Sequence, residues 1–259
     1  MEQTLNTLLK DGFVLVFNKE KLDVVKTAEA LMEAGFNQME VTCRVSEPLK
    51  KIERLKKELP EFGCGAASLI DFDATRDVYN NANADDPLPS VDDTVNAGAD
   101  FLVSAGAFSE KTYAKYKSRL PIIPGCGTVS EMLNQFELGA TCCKLFPASV
   151  IGGPKYIKSV DAALHKIISI IPTGGTNCTN IPQYIEAGVL ILGGSFSAID
   201  KAKMQQIQEQ QDYDLLASEL KSINQLISDC RCDTWPDLDF GNATVDEISQ
   251  KTGRLFNTN

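Results

Sequence analysis

"FVLVFNKEKLDVVKTAEALMEAGFNQMEVT" (13–42) contains one complete structural unit. A five-residue apolar run, FVLVF (13–17), is followed by KLDVVKTAEALMEAG (21–35), whose apolar residues recur at helical spacing up to Gly35, a natural C′ glycine. QMEVT (38–42) then reads as a second short strand. Two strands joined through an amphipathic helix form a βα unit and predict a parallel sheet. The same alternation continues through FGCGAA (62–67), DFLVSA (100–105), PIIPG (121–125), TCCKLF (141–146), IISII (167–171) and VLILGG (189–194). Eight strands with helices between them predict an α/β fold of the (β/α)8 TIM-barrel type rather than an open sheet. Further helices are expected at 47–58, 128–139, 154–164, 177–188 and 203–229, and the amphipathic start MEQTLNTLLKDGF reads as a short helix before the first strand.

Two segments break this rhythm. Residues 71–98, rich in Asn, Asp and Pro, read as an inserted surface loop after the third strand. Residues 231–259 read as a C-terminal extension with a short helix from Asn242, too small to bury a core of its own. Residues 1–230 are therefore read as a single barrel, with the extension docked on it or on a neighbouring subunit.

The formal charge of −10 gives no basic footprint for nucleic acid, and no apolar run is long enough to span a bilayer. The amino terminus lacks the basic and long apolar regions of a signal peptide, so a cytoplasmic protein is expected. In that setting the eight cysteines read as reduced thiols. Cys142-Cys143 and Cys230-Arg231-Cys232 lack zinc-type spacing. The one histidine, His165, lies on a predicted helix with no nucleophile motif beside it, which argues against a histidine-based triad.

Barrel chemistry sits at the carboxyl ends of the strands. In MEVTCR the period-two face carries Glu40, Thr42 and Arg44, which is either a strand-end ion pair or a carboxylate and a guanidinium sharing one cavity. In TCCKLFPAS (141–149), Lys144 and Phe146 share a face. That lysine either snorkels to water or is confined among apolar neighbours, where a free amine could attack a carbonyl and form a Schiff base. PTGGTN (172–177) and GGS (193–195) end the seventh and eighth strands in glycines, with Asn177 as the expected helix N-cap. Close backbone approach at these two loops suits a phosphate.

Taken in order, EVTCR (40–44), GCG (63–65), IIPGCGTVSE (122–131), KLFPA (144–148), PTGGTN and GGS resemble the class I 2-keto-3-deoxy-6-phosphogluconate (KDPG) aldolases, which include the 4-hydroxy-2-oxoglutarate (KHG) aldolases, over roughly residues 5–230. The resemblance implies a (β/α)8 barrel, a homotrimer, no metal and no cofactor. It makes Lys144 the Schiff-base lysine and Glu40 the general acid/base, with Arg44 holding the pyruvate carboxylate. Phe146 and Pro147 would shape the wall around the imine, and Gly174, Gly175, Gly194 and Ser195 would take the substrate phosphate.

The sequence departs from the family pattern in several places. Ala66 occupies the pyruvate-side position where the family carries a threonine, and Ser68 could replace that threonine only if the strand bulges. SAG (104–106) stands for SPG, Ser149 stands where an acidic residue is common, and Asn18 stands where some members have an arginine. The expected reaction is reversible cleavage of KDPG to pyruvate and glyceraldehyde 3-phosphate. KHG or the galactonate epimer is the alternative substrate, and a sugar-phosphate isomerase or epimerase, or a non-catalytic phosphosugar-acid binder, the alternative class.

Overall fold

In the computed structural model, which describes residues 1–160 and 167–258, the strands are all parallel and close into a barrel. They are β1 (Phe13–Phe17), β2 (Gln38–Thr42), β3 (Gly63–Leu69), β4 (Phe101–Ser104), β5 (Ile122–Ile123), β6 (Gly125–Cys126), β7 (Cys143–Leu145), β8 (Ile170–Pro172) and β9 (Leu192–Ser195). One sheet runs β5-β4-β3-β2-β1-β9 and the other β6-β7-β8, and a bridge from Thr173 to Gly193 joins β8 to β9. These nine segments fill eight barrel positions. The predicted fifth strand is split at Pro124, which has no N–H for the ladder, although its carbonyl still accepts from Lys144 N at 2.8 Å.

Alternation along the strands sorts the side chains into two cores. Phe13, Leu15, Phe17, Met39 and Val41 point outward against the helices. Val14, Ala67, Phe101, Val103, Ile123, Cys142 and Ile171 fill the lower barrel interior. Leu5, Leu8 and Leu9 of the N-terminal helix (Glu2–Asp11) join that interior cluster, as do Leu238, Phe240, Val245 and Ile248 from the end of the chain. The described residues beyond 234 thus pack against the end of the barrel opposite the strand carboxyl termini. The eight cysteines are free thiols, and burial pushes the Cys142 thiol up to about 12.

Several sequence expectations need correction. Residues 71–98 are not a loop: they contain helices Asp73–Ala82 and Val91–Asn96. The first is amphipathic, with Ala74, Val78 and Ala82 on one face, but buries no side chain completely, and the Asn, Asp and Pro around it hid its period; the second is short and held by a capping box between Ser90 and Asp93. The expected helix 203–229 is two helices, Lys201–Gln210 and Tyr213–Thr234, parted where Gln211 adopts φ 55° and Asp212 caps the second by accepting from Leu215 N at 2.9 Å. A helix at Glu110–Tyr116 was not anticipated. The expected helix 154–164 is seen as Gly153–Ser159; His165 lies outside the described residues.

Buried Arg231 ties the two chain ends together. Its Nη1 donates to the Lys10 carbonyl (2.9 Å) and its Nη2 to those of Leu9 (2.8 Å) and Leu190, while the guanidinium lies 4.0 Å from the Phe240 ring centroid. A cation thus satisfies the open carbonyls at the end of the first helix. Gly12, at φ 66°, is required there, because a Cβ would come within 2.3 Å of Arg231 Nη2.

Next to this contact, burial holds the Asp11 carboxyl up at about 6, from an ordinary 3.8, against the lowering effect of hydrogen bonds from Asn37 and of the Arg231 charge. Between these two values the folded protein keeps a proton that the unfolded chain has released, so this group's contribution to stability falls as pH rises through that window and is level above it. The penalty reaches about 3 kcal/mol. In urea unfolding, the stability of Asp11→Asn relative to wild type should therefore improve by up to that amount between pH 4 and pH 7. A pH-independent difference would contradict this.

Candidate active site

Because every strand is parallel, all the carboxyl ends open on one face of the barrel. There β2 and β7 stand on opposite sides, and the inward face of each contributes a charge. Lys144 Nζ meets Glu40 Oε1 at 3.2 Å, with side chains only 8% and 6% exposed. The Phe146 ring lies 5.6 Å from the ammonium. A buried ion pair persists when each charge satisfies the other. This one forms part of the wall of a cavity of about 540 Å³.

The cavity brings together Lys144, Glu40, Arg44, Phe146, Gly174, Gly175 and Ser195. Arg44 follows β2, and its Nε donates to Ser68 Oγ at 3.2 Å and to Thr42 Oγ1 at 3.4 Å; Thr42 Oγ1 in turn donates to Ser68 Oγ at 2.8 Å. Ser68 reaches the cavity because β3 bulges. Its register with β4 shifts between Ala66 and Leu69, and Ser68 takes φ 62°. Ala66 does not line the cavity; it is fully buried in the outer core, whereas Ser68, two residues later, does line it. The condition set for Ser68, a bulged strand, is met in the geometry.

Across the barrel, Thr173, Gly174 and Gly175 follow β8. Both glycines have positive φ (91° and 85°), and a Cβ on Gly175 would lie 2.4 Å from Ser149 Oγ. The amides of Asn177 and Asn180 both donate to the Gly175 carbonyl (3.1 and 2.9 Å) and hold the turn. Asn177 is not the helix cap expected of it: the helix is Ile181–Glu186, with Asn180 at the cap position. Ser195 ends β9, with its Oγ 2.8 Å from Ser197 Oγ. Pro147 and Gly194 are not part of the cavity wall. Pro147 packs behind Gly174, and a Cβ on Gly194 would point outward at Phe13.

Sequence reading missed Phe72, Thr75, Tyr79 and Leu88, which come from the segment read as a loop, and Thr173. The aromatic and apolar residues scattered through 72–88 were the available signal. Among the described residues, no group of three or more His, Cys, Asp or Glu could hold a metal ion, and no helix is long and apolar enough to cross a membrane.

A parallel barrel with a buried lysine against a carboxylate, an arginine beside them and two glycine turns opposite defines a barrel enzyme equipped for lysine–carbonyl chemistry. The chain belongs to the KDPG and KHG aldolase family, whose model matches residues 7–214. It is 27% identical over 214 residues to the 2-dehydro-3-deoxy-phosphogluconate aldolase of Pseudomonas aeruginosa, covering 79% of this chain and 88% of that one. To the enzyme of that name from Pseudoalteromonas atlantica it is 31% identical, covering 71% and 78%. A crystal structure of Legionella pneumophila KDPG aldolase, with pyruvate captured as a covalent carbinolamine, superposes with a TM-score of 0.64 at 26% identity, over 86% of this chain and 98% of that one.

Proposed function

We propose that this chain is a class I aldolase that reversibly cleaves KDPG to pyruvate and glyceraldehyde 3-phosphate through an imine on Lys144. The observation that carries the reading is the buried Lys144–Glu40 pair at 3.2 Å, with Arg44 in the same cavity. The amine attacks the C2 carbonyl, whose oxygen leaves as water, and the protonated imine accepts the electron pair released when the C3–C4 bond breaks. Glu40 takes the C4 hydroxyl proton and later returns a proton to C3 of the enamine. Arg44, steadied by Thr42 and Ser68, presents its remaining N–H groups to the carboxylate. Thr173 to Gly175 and Ser195 supply the phosphate site.

Incubation with pyruvate and borohydride tests the imine, since a pyruvate-derived mass should appear on Lys144. No adduct on folded protein would sink the reading. Unphosphorylated 2-keto-3-deoxygluconate should show a kcat/KM about 10–100-fold lower than KDPG, as expected from losing one charge-assisted hydrogen bond of about 1.5–3 kcal/mol. Equal turnover, read through lactate dehydrogenase coupling, would remove the phosphate role from residues 173–175 and 195. The same assay with KHG and the galactonate epimer ranks the substrates. The reading also carries over a homotrimeric, cytoplasmic protein, and sedimentation tests the subunit number.

A further inference from the structure

The segment after β3 builds one side of the cavity. Leu69 and Ile70 lead out of the bulge, Phe72, Thr75 and Tyr79 follow along helix Asp73–Ala82, and Leu88 lies on the return. This wall is fixed in place. Asn80 Nδ2 donates to the Leu88 carbonyl at 3.1 Å, and Leu88 N donates to Asn80 Oδ1 at 2.8 Å, so one amide clamps helix and return together. It also brings only one charged side chain to the cavity. Asp71 is the one acid among these residues that lines the cavity, and its carboxylate accepts from Ser109 N (2.7 Å) and Thr112 Oγ1 (2.8 Å), engaged with the neighbouring helix Glu110–Tyr116.

The position of the wall says which half of a substrate it serves. Round the barrel, β3 neighbours β2, which carries Glu40 and leads to Arg44, and stands opposite β8, which leads to the Gly174-Gly175 turn. If Arg44 takes the carboxylate and the glycine turns take the phosphate, the apolar wall flanks the 2-keto acid donor rather than the aldehyde. We propose that residues 69–88 form a donor-side apolar subsite that admits 2-keto acids with an alkyl chain on C3, where pyruvate has only hydrogen. The inference rests on the aldolase reading. The chemistry is unchanged: Lys144 Nζ bonds to C2, the carbonyl oxygen leaves as water, and one C3 proton passes to Glu40 to give the substituted enamine. The added chain lies against Tyr79, Phe72 and Leu88.

Burial of one methylene strengthens binding about fourfold. Borohydride trapping of the wild-type protein with pyruvate, 2-oxobutanoate and 2-oxopentanoate, followed by intact mass, should give half-saturating concentrations that fall by about that factor with each added carbon. Thr75, exposed on the wall and outside the imine machinery, provides the second arm. Thr75→Trp should fill the subsite, leaving trapping of pyruvate within about twofold of wild type and weakening the longer acids by about tenfold, the loss of one to two buried methylenes. Half-saturation that rises with chain length in the wild type, or a Thr75→Trp protein that treats all three acids as the wild type does, would overturn the subsite while leaving the aldolase reading intact. Failure of pyruvate itself to form an adduct would instead remove the aldolase reading, and the subsite with it.

Discussion

Lys144→Met is expected to lower aldol cleavage by at least about 10⁴-fold and to abolish the borohydride-trapped pyruvate adduct, because the nucleophile and the electron sink are the same atom. The variant should also lose stability. Lys144 and Glu40 are each other's buried charge partners, and removing one leaves the other desolvated and unpaired, which typically costs about 3–5 kcal/mol. Glu40→Gln placed on top should restore part of that loss, since a neutral amide is cheaper to bury than a lone carboxylate. The urea midpoints of the two single variants and the double variant decide the matter. If Lys144→Met matched wild type in stability and the double variant were no better, the pair would contribute nothing to folding. An adduct persisting in Lys144→Met would place the imine on another lysine.

Legibility followed physical signal. Strands β1 and β2, with the helix Val24–Glu33 between them, were readable because each buries one face or both, and the sequence records burial as period. Lys144 and Glu40 were readable because a charge on the inward face of an apolar strand needs a reason. The glycine turn after β8 was readable at Gly174 and Gly175, where positive φ demands glycine, but Gly194 was not distinguishable from them: its outward direction depends on its place in β9, and the segment itself carries no mark of that. Ala66 and Ser68 show the same limit. A bulge brings Ser68 rather than Ala66 to the cavity, and it arises from pairing between β3 and β4, which is long-range. Helix Asp73–Ala82 was missed for a different reason: the Asn, Asp and Pro of 71–98 outweighed the short Ala74, Val78, Ala82 period, and no buried side chain ties that period to the core.

Glu40→Gln separates imine formation from proton transfer. The amide keeps the shape of the side chain and its contact with Lys144 but can no longer accept a proton, so pyruvate should still be trapped on Lys144 while enamine formation slows. A positioned acid/base group contributes about 10²–10⁴-fold, and kcat for cleavage should fall by that amount. Pyruvate methyl protons exchange with deuterated solvent only through the enamine, so exchange followed by proton NMR should slow in parallel, without any aldehyde present. The expected pattern is thus an intact adduct with both cleavage and exchange lost. Exchange retained within tenfold of wild type would assign the proton transfer to another group or to water held by the Thr42–Ser68–Arg44 cluster. Loss of the adduct itself would make Glu40 necessary for the lysine's nucleophilicity, a role that its 3.2 Å contact with Nζ equally allows. Proton exchange, measured beside the adduct, distinguishes the two roles because only the first leaves a trapped but unreactive imine.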